Sequence, residues 1–402
     1  MITQRYKSTL IICLIKSQNL KIHQMLKLST VENIKEIASD QWNRLAGNNT
    51  PFLQHAFLNA LEESGAVSAE TGWTPRHLKL EQSGGIIALM PLYLKEHSQG
   101  EYVFDHGWAN AYHRNGLSYY PKWLTAIPFT PCQSRRILIK EGIEKKAVYS
   151  SIIEFFLQQS ASNQSTTWHC LFADPEEQQA LKELGLHLRE DVQFKWFNRD
   201  YRDFEDYLEQ FSARKRKNIK RERRRVQEQN IELIQLTGPE ISEAQWQAFF
   251  YFYLMTYKKH GMNSYLNLSF FQRLAETMAD QLLLTLAIKE NRYIGAAFSL
   301  VGGDTLYGRY WGCYKEFNNL HFETCYYQGI EYCIKNKLAL FDSGAQGEHK
   351  ISRGFEPVIT ASAHWIKDPR FATAIEEFTQ AEKHHVARYK GKASEFLPFK
   401  KK

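Results

Sequence analysis

The sequence predicts an α+β fold of two related domains, each a mixed, mostly antiparallel sheet flanked by helices. Length is the first reason, because at roughly 100–200 residues per domain a chain of 402 residues is expected to form two domains. The second reason is a repeated order of elements. In each half, short strand-like runs are separated by turns and flanked by apolar positions at helical spacing.

In the first half, the apolar spacing predicts helices over residues 29–46 and 51–64. Residues 77–80 and 85–94 read as strands, and the segment Gln82-Ser83-Gly84-Gly85 between them is typical of a hairpin turn. Residues 101–104 are predicted to continue as a further strand.

The second half repeats this order. Strands are predicted over residues 283–289, 293–301 and 305–312, with turns at 290–291 and 302–304. A helix is predicted over residues 371–385. The resulting division of the chain is an N-terminal extension at 1–27, a first domain at 28–200, a second domain at 201–385 with a basic leading helix, and a basic tail at 386–402. Disorder is one option for the extension, because Met25 offers a second start.

Positive charge is concentrated in one segment. The net charge is +7, but Arg214–Arg225 contains nine Lys/Arg residues and the single acid Glu222, so this segment contributes +8 and the rest about −1. A run of like charges repels itself unless an anion lies nearby. We therefore predict that Arg214, Lys215 and Lys217 bind an anionic substrate, such as a nucleotide-linked or lipid-linked precursor, or tRNA. The alternative is a solvated helix face.

Cysteine usage and hydropathy indicate the compartment. The six cysteines include no Cys-x-x-Cys pair, which fits free thiols in a reducing compartment. No apolar run approaches the roughly 20 residues that span a bilayer. We therefore expect a cytoplasmic protein without a transmembrane segment. No residue pattern suggests a metal site, and the oligomeric state stays open.

The loop within residues 339–360 is the leading candidate for chemistry. Two glycines, which permit close backbone approach, precede a charged set. Glu348 and His349 suit a base and a proton shuttle, whereas Lys350 and Arg353, with Gln346, suit substrate binding. The alternative is a solvated turn.

Two further segments carry candidate residues. His321 and Glu323 begin a predicted helix and are candidates for contact with substrate or for proton transfer. Cys325 lies four residues after His321, but nothing in the sequence supplies a third, orienting group, so a packing role is favoured. In the first half, Asp105, His106, Trp108 and Tyr120 form a polar and aromatic set that suits a pocket wall. A packed aromatic loop is the alternative.

Several motifs resemble those of one known family. They are 101–105 (Glu-Tyr-Val-Phe-Asp), 119–122 (Tyr-Tyr-Pro-Lys), 128–131 (Pro-Phe-Thr-Pro), 310–312 (Tyr-Trp-Gly), 320–323 (Leu-His-Phe-Glu), 325–331 (Cys-Tyr-Tyr-Gln-Gly-Ile-Glu) and 344–350 (Gly-Ala-Gln-Gly-Glu-His-Lys). Over residues 28–385 the chain resembles the FemABX-like branch of the GNAT superfamily, in particular the family labelled peptidoglycan biosynthesis/recognition. The resemblance implies two GNAT-like domains in tandem.

The resemblance also implies a class of reaction. Fem-type relatives transfer aminoacyl groups from charged tRNA to a peptidoglycan precursor, and other GNAT enzymes transfer acetyl from acetyl-CoA to an amine. The segment 312–320 has no second glycine and so departs from the usual CoA pyrophosphate loop. We therefore expect an acyl or aminoacyl transferase with no permanently bound cofactor, whose donor is aminoacyl-tRNA or acyl-CoA. The alternatives are an acetyl-CoA-dependent N-acetyltransferase and a non-catalytic module that binds cell-wall precursor or RNA.

Overall fold

A computed structural model describes residues 26–161, 165–345 and 347–400. The strands are β1 (Leu26–Val31), β2 (Trp73–Pro75), β3 (His77–Gln82), β4 (Gly85–Met90), β5 (Tyr93–Lys95), β6 (Lys122–Thr125), β7 (Leu138–Ile139), β8 (Thr167–Cys170), β9 (His187–Phe197), β10 (Glu232–Thr237), β11 (Leu282–Lys289), β12 (Arg292–Gly302), β13 (Thr305–Cys313), β14 (Leu340–Asp342) and β15 (Glu356–Ile366).

The helices alternate with these strands. They are α1 (Ser39–Ala46), α2 (His55–Glu63), α3 (His106–Arg114), α4 (Lys145–Ala161), α5 (Pro175–Glu183), α6 (Phe204–Glu209), α7 (Ala213–Gln227), α8 (Glu243–Lys259), α9 (Leu268–Thr277), α10 (Leu320–Phe322), α11 (Gln328–Lys335) and α12 (Pro369–Glu395). A π-helical turn, Glu323–Tyr327, joins α10 to α11, and a 3-10 turn spans Glu348–Arg353.

The described strands form two sheets. One has the order β1-β3-β4-β7, and the other has eleven strands in the order β10-β11-β12-β13-β14-β9-β15-β8-β6-β5-β2. Within the described residues, parallel pairing occurs at β6–β8 in the first half and at β13–β14 in the second, and the other strand pairs are antiparallel. A helical segment crosses over between the two strands of each parallel pair. The α+β prediction, with one mixed and mostly antiparallel arrangement in each half, is confirmed.

The two halves share the large sheet. Strand β15, from the predicted second domain, pairs with both β8 and β9 of the predicted first domain, and β9 also pairs with β14. Aromatic side chains join the halves as well, since Phe52 packs edge-on against Tyr307 with ring centroids 5.0 Å apart. The boundary near residue 200 stays a prediction, but the two halves are held together by backbone pairing and by a shared core.

Local predictions hold where turn chemistry or alternation is strong. Strands β3 and β4 form the predicted hairpin, with Gln82 opposite Gly85. Strands β11, β12 and β13 form the predicted meander. In these segments the apolar faces and the turn residues favour the same structure.

Three predictions are wrong. The helix predicted over residues 29–46 begins too early, because residues 29–31 belong to strand β1. This strand pairs with β3, and its apolar residues pack across from those of β3. Residues 101–104 form no strand, since Tyr102 adopts a left-handed backbone with φ 60°. The helix predicted to end at residue 385 continues to Glu395, and the segment after it returns to place Phe399 against Phe211.

Candidate functional site between the two halves

In the second half, the pairing of two parallel strands is short. Strands β13 and β14 pair at Thr305–Tyr307 with Leu340–Asp342, where β14 ends. The register of β13 against β12 shifts there, because Tyr310 lies opposite Phe298 but Gly308 lies opposite Ser299. Arg309 is therefore the extra residue of a β-bulge. Bulges bend a strand and re-aim its side chains, and this one aims Arg309 at Asp342, the last residue of β14.

A cleft between the two halves lies beside this bulge. Its volume is about 560 Å³, a size that suits a small ligand or the reacting end of a larger one. The walls are rich in aromatic side chains, which come from the first half (Tyr102, Phe104, Phe129), from α8 and the loop after it (Tyr253, Tyr257, Tyr265), and from β13 and the π-helical turn (Tyr310, Trp311, Tyr326).

The charged groups lining the cleft are basic. Its described lining includes Arg309 and Lys350 but no Asp or Glu. The Arg309 side chain is 3% exposed, donates to an Asp342 carboxylate oxygen at 3.3 Å, and has Nε and Nη2 without a partner among the described residues. Lys350 donates to the carbonyl oxygens of Ser343 and Gly344 at 3.0 and 2.9 Å. Burial lowers the pKa of Lys350 to about 8. The cleft is thus suited to a ligand with acceptor or anionic groups.

A hydrogen-bonded pair leads from the cleft to the surface. Tyr326 lines the cleft, and its hydroxyl lies 2.8 Å from Nε2 of the exposed His349. Partial burial of the imidazole, together with the nearby cations of Arg353 and Lys350, lowers the pKa of His349 to about 4. The imidazole is therefore neutral near pH 7, and its Nε2 can accept a proton from the Tyr326 hydroxyl.

The other predicted catalytic residues lie in different settings. Glu323 is buried and makes a two-point ion pair with Arg223, at 2.9 and 3.1 Å, so its carboxylate is already occupied. Glu348 is exposed and accepts a hydrogen bond from Tyr389 at 2.8 Å. Burial lowers the pKa of His321 to about 4, and its ring packs 5.7 Å from that of His349.

Arg353 connects the 3-10 turn to helix α7. Its Nη2 donates to Glu222 at 2.7 Å, and its guanidinium lies 3.5 Å from the centre of the Phe322 ring. This buried contact orients the turn that carries His349. The predicted binding residue Gln346 lies outside the described residues, so its role stays a prediction. Burial raises the pKa of the Cys325 thiol well above its usual range, which makes a thiolate nucleophile unfavourable.

One candidate of the first half, Asp105, lies in a buried ion cluster. Asp105 is buried and accepts from Lys122 and, at 2.6 Å, from the Tyr119 hydroxyl. Burial alone would raise the pKa of Asp105, but Lys122 holds it well below its usual range. Lys122 also donates to Glu101 at 2.8 Å. Asp105 is therefore part of a buried ion cluster.

The remaining first-half candidates flank that cluster. His106 is exposed and lines the central cleft. Trp108 instead lines a separate groove of about 480 Å³ between α3 and α12. The Tyr120 hydroxyl lies 2.7 Å from Ser98 Oγ, which in turn accepts from Lys122. Of the four residues, the structure brings only His106 to the lining of the cleft itself.

The basic helix α7 has two different ends. Toward its C-terminal end, Arg223 pairs with Glu323 and Glu331, and Arg224 pairs with Glu228. The predicted binding residues Arg214, Lys215 and Lys217 lie in its first turns, and no carboxylate among the described residues pairs with them. The positive end of the helix dipole adds to their charge. This end of α7 is therefore a free cationic surface.

Sequence reasoning missed Arg309 and Tyr326. Arg309 lies in a strand of aromatic and small residues, where the pattern predicts a strand but not the bulge that shifts its register. Tyr326 lies within a motif whose neighbours His321, Glu323 and Cys325 drew attention instead. No local sequence pattern indicates either residue, because both come near the 343–350 loop only when β13 and β14 pair.

Comparison with known families agrees with this architecture. The FemAB-like family model, described as peptidoglycan biosynthesis/recognition, matches residues 33–401. The chain belongs to the FemAB-like family. The family predicted from the sequence motifs is thereby confirmed, and the match covers both halves and helix α12.

Solved structures share the fold of this FemAB-like chain. FemX aligns over 85% of this chain and 98% of its own, with 13% identity and a TM-score of 0.50. The C-terminal domain of a protein named as a lysylphosphatidylglycerol synthetase, from Agrobacterium fabrum, aligns over 87% of this chain and 96% of its own, with 9% identity and a TM-score of 0.51. At such identities the likeness establishes the fold, that of tandem GNAT-like domains.

Two further results bear on this FemAB-like chain. A search of curated proteins finds no significant match. Across residues 26–161, 165–345 and 347–400, no helix combines the length and the apolar character needed to cross a membrane.

Proposed function

We propose that this FemAB-like protein transfers an acyl or aminoacyl group to an amine, with a peptidoglycan precursor as acceptor. The cleft beside the β13 bulge would be the site of transfer. The observation that carries the proposal is the Tyr326–His349 pair at the wall of that cleft, because it offers a route for the proton that an attacking amine must lose. The family description supports the choice of acceptor.

The chemistry is an aminolysis. The free amine attacks the carbonyl carbon of the donor, so that a C–N bond forms and the ester C–O or thioester C–S bond breaks. The nitrogen gives its proton to the Tyr326 oxygen as the phenol gives its own to His349 Nε2. Burial keeps the pKa of Tyr326 well above its usual range, so the phenol acts as a neutral relay rather than as a phenolate. The leaving oxygen or sulfur takes a proton from solvent.

The bulge would support the negative charge that develops on the carbonyl oxygen. The extra residue of a bulge is left out of the regular ladder, and a backbone N–H at Arg309 would bind that oxygen. The Arg309 side chain, 3% exposed, would add a positive charge at the same place. Both groups are held by the strand and need little rearrangement during the reaction.

The free cationic end of α7 favours a phosphate-rich donor. Charged tRNA is the donor that best explains why Arg214, Lys215 and Lys217 carry no carboxylate partners among the described residues. Acyl-CoA is the alternative donor, and it would direct the proposal toward an N-acetyltransferase.

A thermal-shift comparison tests the proposal. Purified protein would be heated alone and with acetyl-CoA, charged tRNA or a UDP-linked muropeptide. A ligand that binds only the native state stabilises it by about 2.7 kcal/mol at a hundredfold excess over Kd. We expect charged tRNA and the muropeptide each to raise Tm. A rise in Tm with acetyl-CoA alone would indicate acyl-CoA instead of charged tRNA as the donor. If no ligand raised Tm, the proposal would be contradicted.

A non-catalytic binding module is the second candidate. It is favoured by one observation: among the described residues, no carboxylate lines the cleft, and Glu323 is engaged by Arg223. The two candidates differ in turnover. A protein that binds the muropeptide but forms no amide with any of the donors would be a binding module.

A further inference from the structure

Strand β9 carries a polar row along one face. Arg189, Asp191, Gln193 and Lys195 alternate along the strand, so their side chains project to the same side of the sheet. Thr360 of β15 lies directly opposite Asp191 in the antiparallel register, which brings their side chains close together. At the far end, Lys195 lies 3.7 Å from Asp342, the partner of Arg309. The row therefore ends beside the cleft.

Two cavities lie over this row. One, of about 240 Å³, is lined by Asp191 and Thr360, and the other, of about 320 Å³, by Asp191 and Gln193. Tyr102 and Phe104 line both cavities and also line the 560 Å³ cleft. The row is thus the floor of a polar passage that adjoins the site of transfer.

The passage contains two buried acceptors without partners among the described residues. Gln193 is 3% exposed, and its Nε2 donates to the Pro131 carbonyl oxygen at 2.9 Å. Because a carbonyl can only accept, the free end of this amide must be the oxygen Oε1. Thr360 is 1% exposed, and its Oγ1 is likewise unpartnered. Buried polar atoms are normally paired, so these two point to a missing ligand.

Asp191 is exposed, lines both cavities and supplies a negative charge there. Its neighbours are neutralised, since Glu190 pairs with Lys383 at 2.7 Å and Glu382 pairs with Arg189 at 2.8 Å. Asp191 itself makes no ion pair with any described residue. One of its oxygens accepts from the Val192 N–H at 2.7 Å, and the other is available to a ligand.

We propose that Asp191 and Thr360, which lie opposite each other and line the 240 Å³ cavity together, bind a primary ammonium group, that of the acceptor substrate before transfer. Both side chains can accept from the N–H donors of an ammonium, and the Asp191 carboxylate balances its charge. The inference rests on the proposed function, because the passage leads this amine toward the bulge and the Tyr326–His349 pair. It adds that the acceptor is recognised as a cation, away from the basic lining of the cleft.

Isothermal titration calorimetry with Nα-acetyl-L-lysine amide tests the ammonium site. Its Nε-acetylated form, which has no charge, is the matched probe. We expect the charged probe alone to bind, and Asp191→Asn to weaken it roughly tenfold or more, because a charge-assisted hydrogen bond is removed. Thr360→Val should weaken it roughly threefold. Glu176→Gln, the same removal of charge at a paired carboxylate that lines neither cavity, should leave binding within about twofold.

Equal binding of the two probes, or an Asp191→Asn variant with wild-type affinity, would overturn the ammonium site. Equal losses of affinity in Asp191→Asn and Glu176→Gln would also overturn it, since the loss would then follow from net charge rather than from the site. Thr360→Val keeps the test decisive if Asp191→Asn is poorly folded. The titration contains no acyl donor. If the protein showed no transfer activity, the proposed function would fail, but the titration would still be valid. If the Asp191→Asn variant bound the charged probe like the wild type, only the ammonium site would fail.

Discussion

Lys122 shows how strongly one buried residue can depend on its neighbours. It is fully buried and donates to Ser98, Glu101 and Asp105. Burial raises the pKa of Glu101 to about 7, whereas Lys122 holds that of Asp105 low. The cluster fixes the segment that begins the loop of Tyr102 and Phe104. Its effect on the cleft is therefore to position that wall.

Replacing Lys122 should destabilise the fold. Lys122→Met leaves two buried carboxylates without a cation, and we expect the free energy of unfolding to fall by about 3–5 kcal/mol. Urea denaturation measures this change. Lys146→Met, at an exposed lysine, is the control and should stay within about 0.5 kcal/mol of the wild type. A Lys122→Met protein as stable as the control would show that the cluster carries no such constraint.

At the scale of elements, helix α7 is attached to the π-helical turn by Arg223, which pairs with Glu323, and by Glu222, which accepts from the Tyr327 hydroxyl. Arg223 joins Glu323 and Glu331 and packs 4.5 Å from the centre of the Phe204 ring. The next residue, Arg224, makes only an exposed pair with Glu228. Adjacent arginines in one charged run thus differ completely in their contacts.

Substitution of Arg223 should reduce the stability of the fold more than substitution of Arg224. Arg223→Met leaves the buried Glu323 unpaired, and we expect a loss of about 1–3 kcal/mol. Arg224→Met should change stability by less than about 0.5 kcal/mol, because an exposed pair contributes little. Thermal unfolding of both variants measures the difference. Equal losses would contradict the anchoring role of Arg223.

Elements differ in how far their sequence predicts them. The β11–β13 meander follows from alternation and turn residues, which act locally. Strand β1 and the continuation of α12 depend on partners far along the chain, β3 and Phe211. The candidate site divides in the same manner. His349, Lys350 and His106 were predictable from local motifs, whereas Arg309 and Tyr326 required the pairing of β13 with β14.

At the scale of the whole molecule, two surfaces of different charge suit different ligands. The first turns of α7 present cations that pair with no described carboxylate, and the β9 passage presents acceptors. Under the proposed function, the phosphate-rich donor and the ammonium group of the acceptor would therefore bind at separate places.

Binding of tRNA should depend on salt through the end of α7. Neutralising Arg214, Lys215 and Lys217 to glutamine should weaken binding and reduce the slope of log K against log salt by about 2, because each neutralised phosphate contributes roughly 0.7–0.9 to that slope. Filter binding across a salt series measures the slope. The control triple Lys146→Gln, Lys335→Gln and Lys337→Gln removes the same charge at exposed sites elsewhere. Equal slopes for the two triple variants would contradict a specific role for this end of the helix.

The transfer rate of Tyr326→Phe shows whether the Tyr326–His349 pair relays the proton. The assay would use a UDP-linked muropeptide and the donor that raises Tm, and Tyr265→Phe, at a second tyrosine of the same cleft, is the control. Loss of the relay hydroxyl should lower kcat about a hundredfold with KM little changed, because general acid–base catalysis contributes about 10²–10⁴. The control should stay within about threefold. A Tyr326→Phe enzyme with the kcat of the wild type would contradict a proton relay through Tyr326.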